Sequence, residues 1–215
     1  MDNMINLIKL HYTSVFALKK SGAVMILLAI FITVTNNDGS MLPFGAALLL
    51  MLLNYSTLAY EDKSKMNYLV YSLPVEPKKY ILSKYIYGVI NIFISVLFAD
   101  FIFIILKAFN MVTSETIPLE AVNLSIYIIG IVVVVIVSPI ALVFGFNKAR
   151  LILVFLFVLP VCFSKTIVKI IPQAPNSIIN ISLHSMQVSV LIIGILLTVI
   201  SYIICSNLYS KRDID

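Results

Sequence analysis

Few side chains in this sequence are placed to do chemistry. None of the seven glycines is part of the G-x-x-x-x-G-K-[ST] loop that binds nucleotide phosphates. His11 and His184 are too far apart for a zinc-binding helix, and the sequence contains neither a G-x-S-x-G nucleophile turn nor a T-V-G-Y-G potassium filter. Cys162 and Cys205 lie inside apolar runs, where we interpret them as packing residues. We therefore expect no catalytic residue, no metal site and no cofactor bound by this chain.

The composition explains why reactive groups are scarce. Apolar residues make up 61% of the 215 residues and charged residues 12%, and the mean hydropathy is +1.07. A soluble domain is about half apolar and a quarter charged, so the polar surface left here is too small to coat a water-soluble protein. The solvent for most of the chain must be lipid. The net charge of +5 is then explained by basic residues at the cytoplasmic membrane surface and not by nucleic-acid binding.

The hydropathy pattern predicts an all-α membrane protein with six transmembrane helices in a single domain over residues 21–209. The predicted spans are 21–35, 41–60, 81–106, 121–146, 151–164 and 188–209. An inner loop at 61–80 and an outer segment at 165–187 connect them, and 210–215 form a cytoplasmic tail. We expect Pro139 to kink the fourth span.

Basic residues indicate the orientation of these spans. If both termini are cytoplasmic, the outer segments carry only Lys107, Lys165 and Lys169, and the other twelve of the 15 Lys and Arg residues are on the inner side. Basic residues collect on the cytoplasmic side of membrane proteins. We therefore predict a multi-pass protein of the plasma membrane with cytoplasmic N- and C-termini, which agrees with an even number of spans.

Asp100 is an acidic residue well inside the third apolar run. A charge at membrane depth is costly and marks a functional position by default. One hypothesis is that Asp100 lines a translocation pathway, where it contacts a cationic substrate or pairs with Lys165 or Lys169. The alternative is a hydrated carboxylate at the outer interface, because Asp100 is close to the end of its span.

Residues 1–20 have the pattern of an interfacial helix. Ile5, Ile8, Tyr12 and Val15 recur at steps of three and four, the period of one helical face. We expect this helix to lie on the inner membrane surface before the chain turns into the first span. The alternative is a frayed tail.

The inner loop 61–80 carries the most informative local pattern. Apolar residues at i, i+3, i+4 and i+7 predict one face of a short helix, formed by Met66, Leu69, Val70 and Leu73. Charged residues open this helix, namely Glu61, Asp62, Lys63 and Lys65. Pro74 ends it, and Pro77 opens the third span. The apolar face needs lipid or another protein to cover it, and the mixed charges argue against a simple lipid anchor.

The same stretch resembles the small bacterial ABC-2 type permeases. The resemblance rests on the acidic-basic cluster after the second span, on Ser72-Leu73-Pro74-Val75, and on Ser83-Lys84-Tyr85 entering the third span. It implies that two six-helix permease chains, identical or homologous, pair and that each docks on a cytoplasmic ATPase subunit, which binds ATP and Mg²⁺. The coupling helix that sits in a groove of the ATPase would be 61–73, and short re-entrant outer helices would fall within 165–187.

We accordingly expect the permease subunit of an ABC exporter from a Gram-positive bacterium. The chain is also faintly similar to permeases of the staphylococcal phenol-soluble modulin exporter, which expel amphipathic peptides. Few intramembrane charges favour an apolar or amphipathic cargo, such as modulins or antimicrobial peptides. The alternative is a non-transporting membrane protein for bacteriocin immunity or peptide sensing. A secondary carrier and an intramembrane enzyme rank below both.

Overall fold

The described part of the chain is helical. A computed structural model describes residues 2–17, 27, 30–31, 42–64, 76–109, 119–152, 154–155 and 183–209. Helix α1 runs over Asp2–Ala17, α2 over Leu42–Lys63, α3 over Pro77–Ala108 and α5 over Leu183–Tyr209. Helix α4 has three consecutive pieces, the α-helix Leu119–Val132, the π-helix Val133–Val137 and the α-helix Ser138–Phe144. Residues 146–152 form a further helical segment.

Four of these helices, α2 to α5, are long and apolar enough to cross a membrane. They correspond to the second, third, fourth and sixth predicted spans, which confirms helices of spanning length over the part of the chain that the structure describes. The first and fifth predicted spans lie mostly outside the described residues, as do residues 165–182 of the predicted outer segment 165–187 and the tail 210–215. Residues 183–187 of that segment form the start of α5, so the last predicted span begins earlier than 188. The count of six spans and the cytoplasmic termini therefore stay predictions.

The inner loop differs from the prediction at its first end. Glu61, Asp62 and Lys63 form the last turn of α2, so the prediction that they open a separate helix was wrong. The helix continues past Tyr60 because Glu61, the first charged residue, is neutralised by partners inside the protein. Helix α3 begins at Pro77 as predicted. The remaining coupling residues lie outside the described residues; they are Lys65, Met66, Leu69, Val70 and Leu73.

Helix α3 is central to the bundle, because it contacts α1, α2, α4 and α5. Small residues allow the closest approaches. A Cβ atom on Gly130 of α4 would lie 2.6 Å from Cγ1 of Ile92 in α3 and 3.1 Å from Cδ1 of Leu50 in α2. Without a side chain at Gly130 the three helices come close enough for their apolar side chains to interlock, as is common in membrane bundles.

The N-terminal helix packs through a face that the sequence pattern did not predict. Among the described side chains of α1, the buried ones are Leu7, His11 and Ser14, and the helix lies against α2 and α3. The predicted apolar face stays more open, and Ile5 is 61% exposed. Helix α1 thus packs on the bundle through the face that carries His11. Of the predicted apolar face, Ile5 is exposed, whereas Tyr12 contacts α3.

Helix α4 contains a π-helical turn just before Pro139, where the sequence predicted a kink. Proline has no backbone N–H, so the carbonyl of Val135, four residues earlier, loses its normal helical donor. The Ser201 hydroxyl of α5 donates to that carbonyl over 2.8 Å. Since its hydrogen is used there, Ser201 Oγ accepts from the Tyr85 hydroxyl of α3, also over 2.8 Å. One serine therefore joins three spans at the irregular turn.

Removal of this serine hydroxyl is expected to destabilise the protein. Ser201→Ala leaves the Val135 carbonyl and the Tyr85 hydroxyl without these partners, and we expect the free energy of unfolding in detergent to fall by about 1–3 kcal/mol. The cost should be smaller in a Pro139→Ala background, where the residue at 139 can donate to Val135. Ser189→Ala on the same helix is the control, since its exposed hydroxyl bonds to the carbonyl of Ser185 within the helix. An equal loss in both variants would contradict the assignment.

Candidate functional site

Glu61 is a buried carboxylate at the end of α2, with 3% of its surface exposed. Its Oε2 atom accepts a hydrogen bond from the ammonium group of Lys84, which lies two turns into α3 and is itself 8% exposed. Either charge alone would be costly to keep away from water, whereas the pair has no net charge. The pair therefore ties the two ends of the inner loop together inside the bundle.

His11 brings α1 into the same cluster. Its Nδ1 atom lies 3.1 Å from Oε1 of Glu61, and its Nε2 atom lies 3.2 Å from the hydroxyl oxygen of Ser83. A carboxylate can only accept, so Nδ1 can bond to Glu61 only in a form of the ring that carries a hydrogen on Nδ1. With 1% of His11 exposed, these contacts are shielded from solvent. We call His11, Glu61 and Lys84 the ion cluster.

Tyrosine rings surround the ion cluster. The His11 ring centroid lies 6.0 Å from that of Tyr80 and 5.5 Å from that of Tyr87. The Lys84 nitrogen lies 5.1 Å from the Tyr80 ring centroid, within the range of a cation–π contact. Tyr12 stacks edge-on against Tyr87 at 4.9 Å and donates to Oδ1 of Asn91 over 3.2 Å. Burial raises the pKa of Tyr12, which keeps this donor protonated.

A small polar cavity lies beside the ion cluster. It has a volume of about 20 Å³, enough for one water molecule. Polar side chains line it, and the π-helical turn of α4 contributes Val133 and Val137. The cavity therefore places the ion cluster next to the irregular part of α4.

The structure separates the predicted coupling residues into different environments. Asp62 and Lys63 are exposed at the end of α2, where a partner can reach them. Glu61 is buried, so it acts on a partner only through the residues that it holds in place. His11 and Lys84 are the functional candidates that the sequence analysis missed. The available signals were a histidine within the predicted N-terminal helix and a lysine inside the third apolar run.

Asp100 lies near the far end of α3 and is partly buried. Its Oδ1 atom accepts a hydrogen bond from the Asn123 amide of α4 over 3.0 Å. The two lysines predicted as its partners, Lys165 and Lys169, lie outside the described residues. Asp100 and Asn123 thus form a polar contact between α3 and α4.

Comparison with known proteins identifies the family of the chain. A family model described as an ABC-2 family transporter protein matches residues 6–210, nearly the whole of the 215-residue chain. No curated protein and no solved structure matches the chain.

Proposed function

Because this chain belongs to the ABC-2 family of transporter proteins, we propose that it is the permease of an ABC exporter for apolar or amphipathic peptides. The observation that carries the proposal is the family match over residues 6–210, together with four helices of spanning length. The family is one of membrane subunits that work with a separate ABC ATPase. The lack of a phosphate-binding loop in this sequence agrees with that division of labour.

In the proposed complex, two ATPase subunits bind ATP and Mg²⁺ and dock on a pair of permease chains, identical or homologous. Both chain termini face the cytoplasm of a Gram-positive cell. The ATPase contacts the segment that follows the buried Glu61, from the exposed Asp62 and Lys63 to Leu73. Closure of the ATPase subunits moves this segment and shifts the permease pair between two packed states.

The charges of the described spans support a cargo with large apolar surfaces. Glu61 and Lys84 neutralise each other inside the bundle, and Asp100 is hydrogen-bonded to Asn123. A strongly polar solute needs several fixed charges and hydrogen-bond partners to leave water. Amphipathic peptides such as modulins or antimicrobial peptides need fewer fixed charges and hydrogen-bond partners.

The test of this proposal is purification of the tagged chain from native membranes in mild detergent, followed by mass spectrometry. We expect an ABC ATPase subunit at near-equal stoichiometry, and a second permease in the eluate would identify a heterodimer. An intact chain that purifies without any ATPase would refute the permease function. That result would favour the alternative of a bacteriocin-immunity or peptide-sensing protein.

Asp100 is proposed to line the outer part of the translocation pathway. Asp100→Asn removes the negative charge and keeps an oxygen that can accept from Asn123. We expect severalfold lower transport of a cationic amphipathic peptide into inverted vesicles, with the ATPase subunit still bound. Lys107→Gln is the control, since it changes an exposed charge at the same end of α3. Export that is unchanged in Asp100→Asn would remove this role.

A further inference from the structure

We propose that α1, the end of α2 and the start of α3 move as one rigid body during transport. His11 is the positioning residue that attaches α1 to the other two helices. This inference rests on the proposed function and adds α1 to the parts of the permease that move with the coupling segment. It starts from the ion cluster, in which His11, Glu61 and Lys84 come from three different helices. The coupling segment is continuous with two of them, whereas α1 joins through side chains alone.

Separation of these helices would be costly. If α1 moved away from α2, Glu61 would lose the contact between its Oε1 and Nδ1 of His11 while staying buried with Lys84. If α2 moved away from α3, two opposite charges would part in a low-dielectric environment. Each polar group of the cluster is at least nine-tenths buried, so bulk water cannot replace a lost partner, and the adjacent cavity has room for only a single water molecule. A movement that keeps all three helices together avoids both costs.

A second contact fixes the direction of α1 along α3. Tyr12 bonds to Asn91, eight residues beyond the Ser83 that contacts His11. Eight residues of α-helix correspond to about 12 Å. Two contacts that far apart on α3 restrain α1 against rotation about either one. A force applied to the segment between Ser64 and Glu76 is therefore shared with α1, without any direct contact between α1 and the ATPase.

Cysteine accessibility can test this rigid body in the complete complex. In a background with Cys162 and Cys205 replaced, Ser83→Cys reports on the interface of α1 with α3, and Lys79→Cys is an exposed control on α3. We expect at least about tenfold slower maleimide labelling at 83 than at 79, equally in the nucleotide-free and vanadate-trapped states. Faster labelling at 83 in either state would show that the interface opens and would overturn the inference. Ser14→Cys, on the α1 side, is the second reporter if the first variant does not fold.

The positioning role of His11 has its own readout. His11→Leu should retain the ATPase subunit but lose most of the increase in ATP hydrolysis caused by a synthetic amphipathic helical peptide. His11→Gln should restore that increase, because its amide can donate to Glu61. A His11→Leu complex that responds like the unmodified one would refute the role. If no ATPase purifies with the unmodified chain, the proposed function fails; with the complex intact, these readouts decide on the inference alone.

Discussion

A chain that carries Met66→Asp, Leu69→Asp and Leu73→Asp is expected to reach the membrane and to lose its ATPase subunit. These residues share one face of the helix predicted between α2 and α3. Apolar anchors at the centre of an interface cost about 1–2 kcal/mol or more each when truncated, and a carboxylate placed there must also be desolvated. Binding should weaken at least about a thousandfold, measured as loss of the ATPase from the tagged chain in mild detergent.

The matched control places the same three charges on the opposite face of the predicted helix. Ser64→Asp, Tyr68→Asp and Tyr71→Asp lie about half a turn from the apolar face at the period of 3.6 residues. We expect this variant to retain most of the ATPase. Equal loss from both variants would show that added charge, and not the apolar face, releases the partner. Retention by both would contradict docking through this helix.

The parts of the fold that follow from local pattern could be predicted from sequence. Lipid as a solvent requires long uninterrupted apolar runs, so α2, α3, α4 and α5 were each visible within about 20 neighbouring residues. The start of α3 at Pro77 was equally local, because proline fits the first turn of a helix and not its interior. These features need no knowledge of what the helices contact.

The ion cluster could not be predicted in this way, because it depends on contacts between residues far apart in the sequence. Glu61 was assigned to the polar loop on its charge alone, whereas Lys84 and His11 make its burial tolerable. On α1 the search for apolar periodicity found Ile5, Ile8, Tyr12 and Val15. It missed the packed face because Leu7 is the only strongly apolar residue among Leu7, His11 and Ser14.

The surroundings of Pro139 could be predicted from local sequence only in part. The missing N–H of proline predicts a kink in α4, and the structure has a π-helical turn at Val133–Val137 just before this proline. The donor that satisfies the freed carbonyl, Ser201, comes from the last described helix. Local sequence thus indicates where a donor is needed, and only the tertiary structure shows which residue supplies it.

Lys84→Met is expected to destabilise the protein more than any other single change proposed for the bundle. It leaves the Glu61 carboxylate buried without its ammonium partner, and loss of one partner of a buried ion pair typically costs about 3–5 kcal/mol. The measurement is the free energy of unfolding by denaturant titration in detergent micelles. Lys79→Met is the control: it breaks an ion pair with Glu76 in which both side chains are more than half exposed. Such a pair contributes at most about 1 kcal/mol.

The double variant Glu61→Gln with Lys84→Met separates the cost of an unpaired charge from the contribution of the pair. With no charge left to bury, and with the amide oxygen at position 61 still able to accept from His11, most of the lost stability should return. Glu61→Gln alone should also be destabilising, since it leaves the Lys84 ammonium without its partner. If the two single losses simply add in the double variant, Glu61 and Lys84 are not coupled in the folded protein. The ion cluster would then not hold the two ends of the inner loop together, and the rigid body inferred from it would lose its basis.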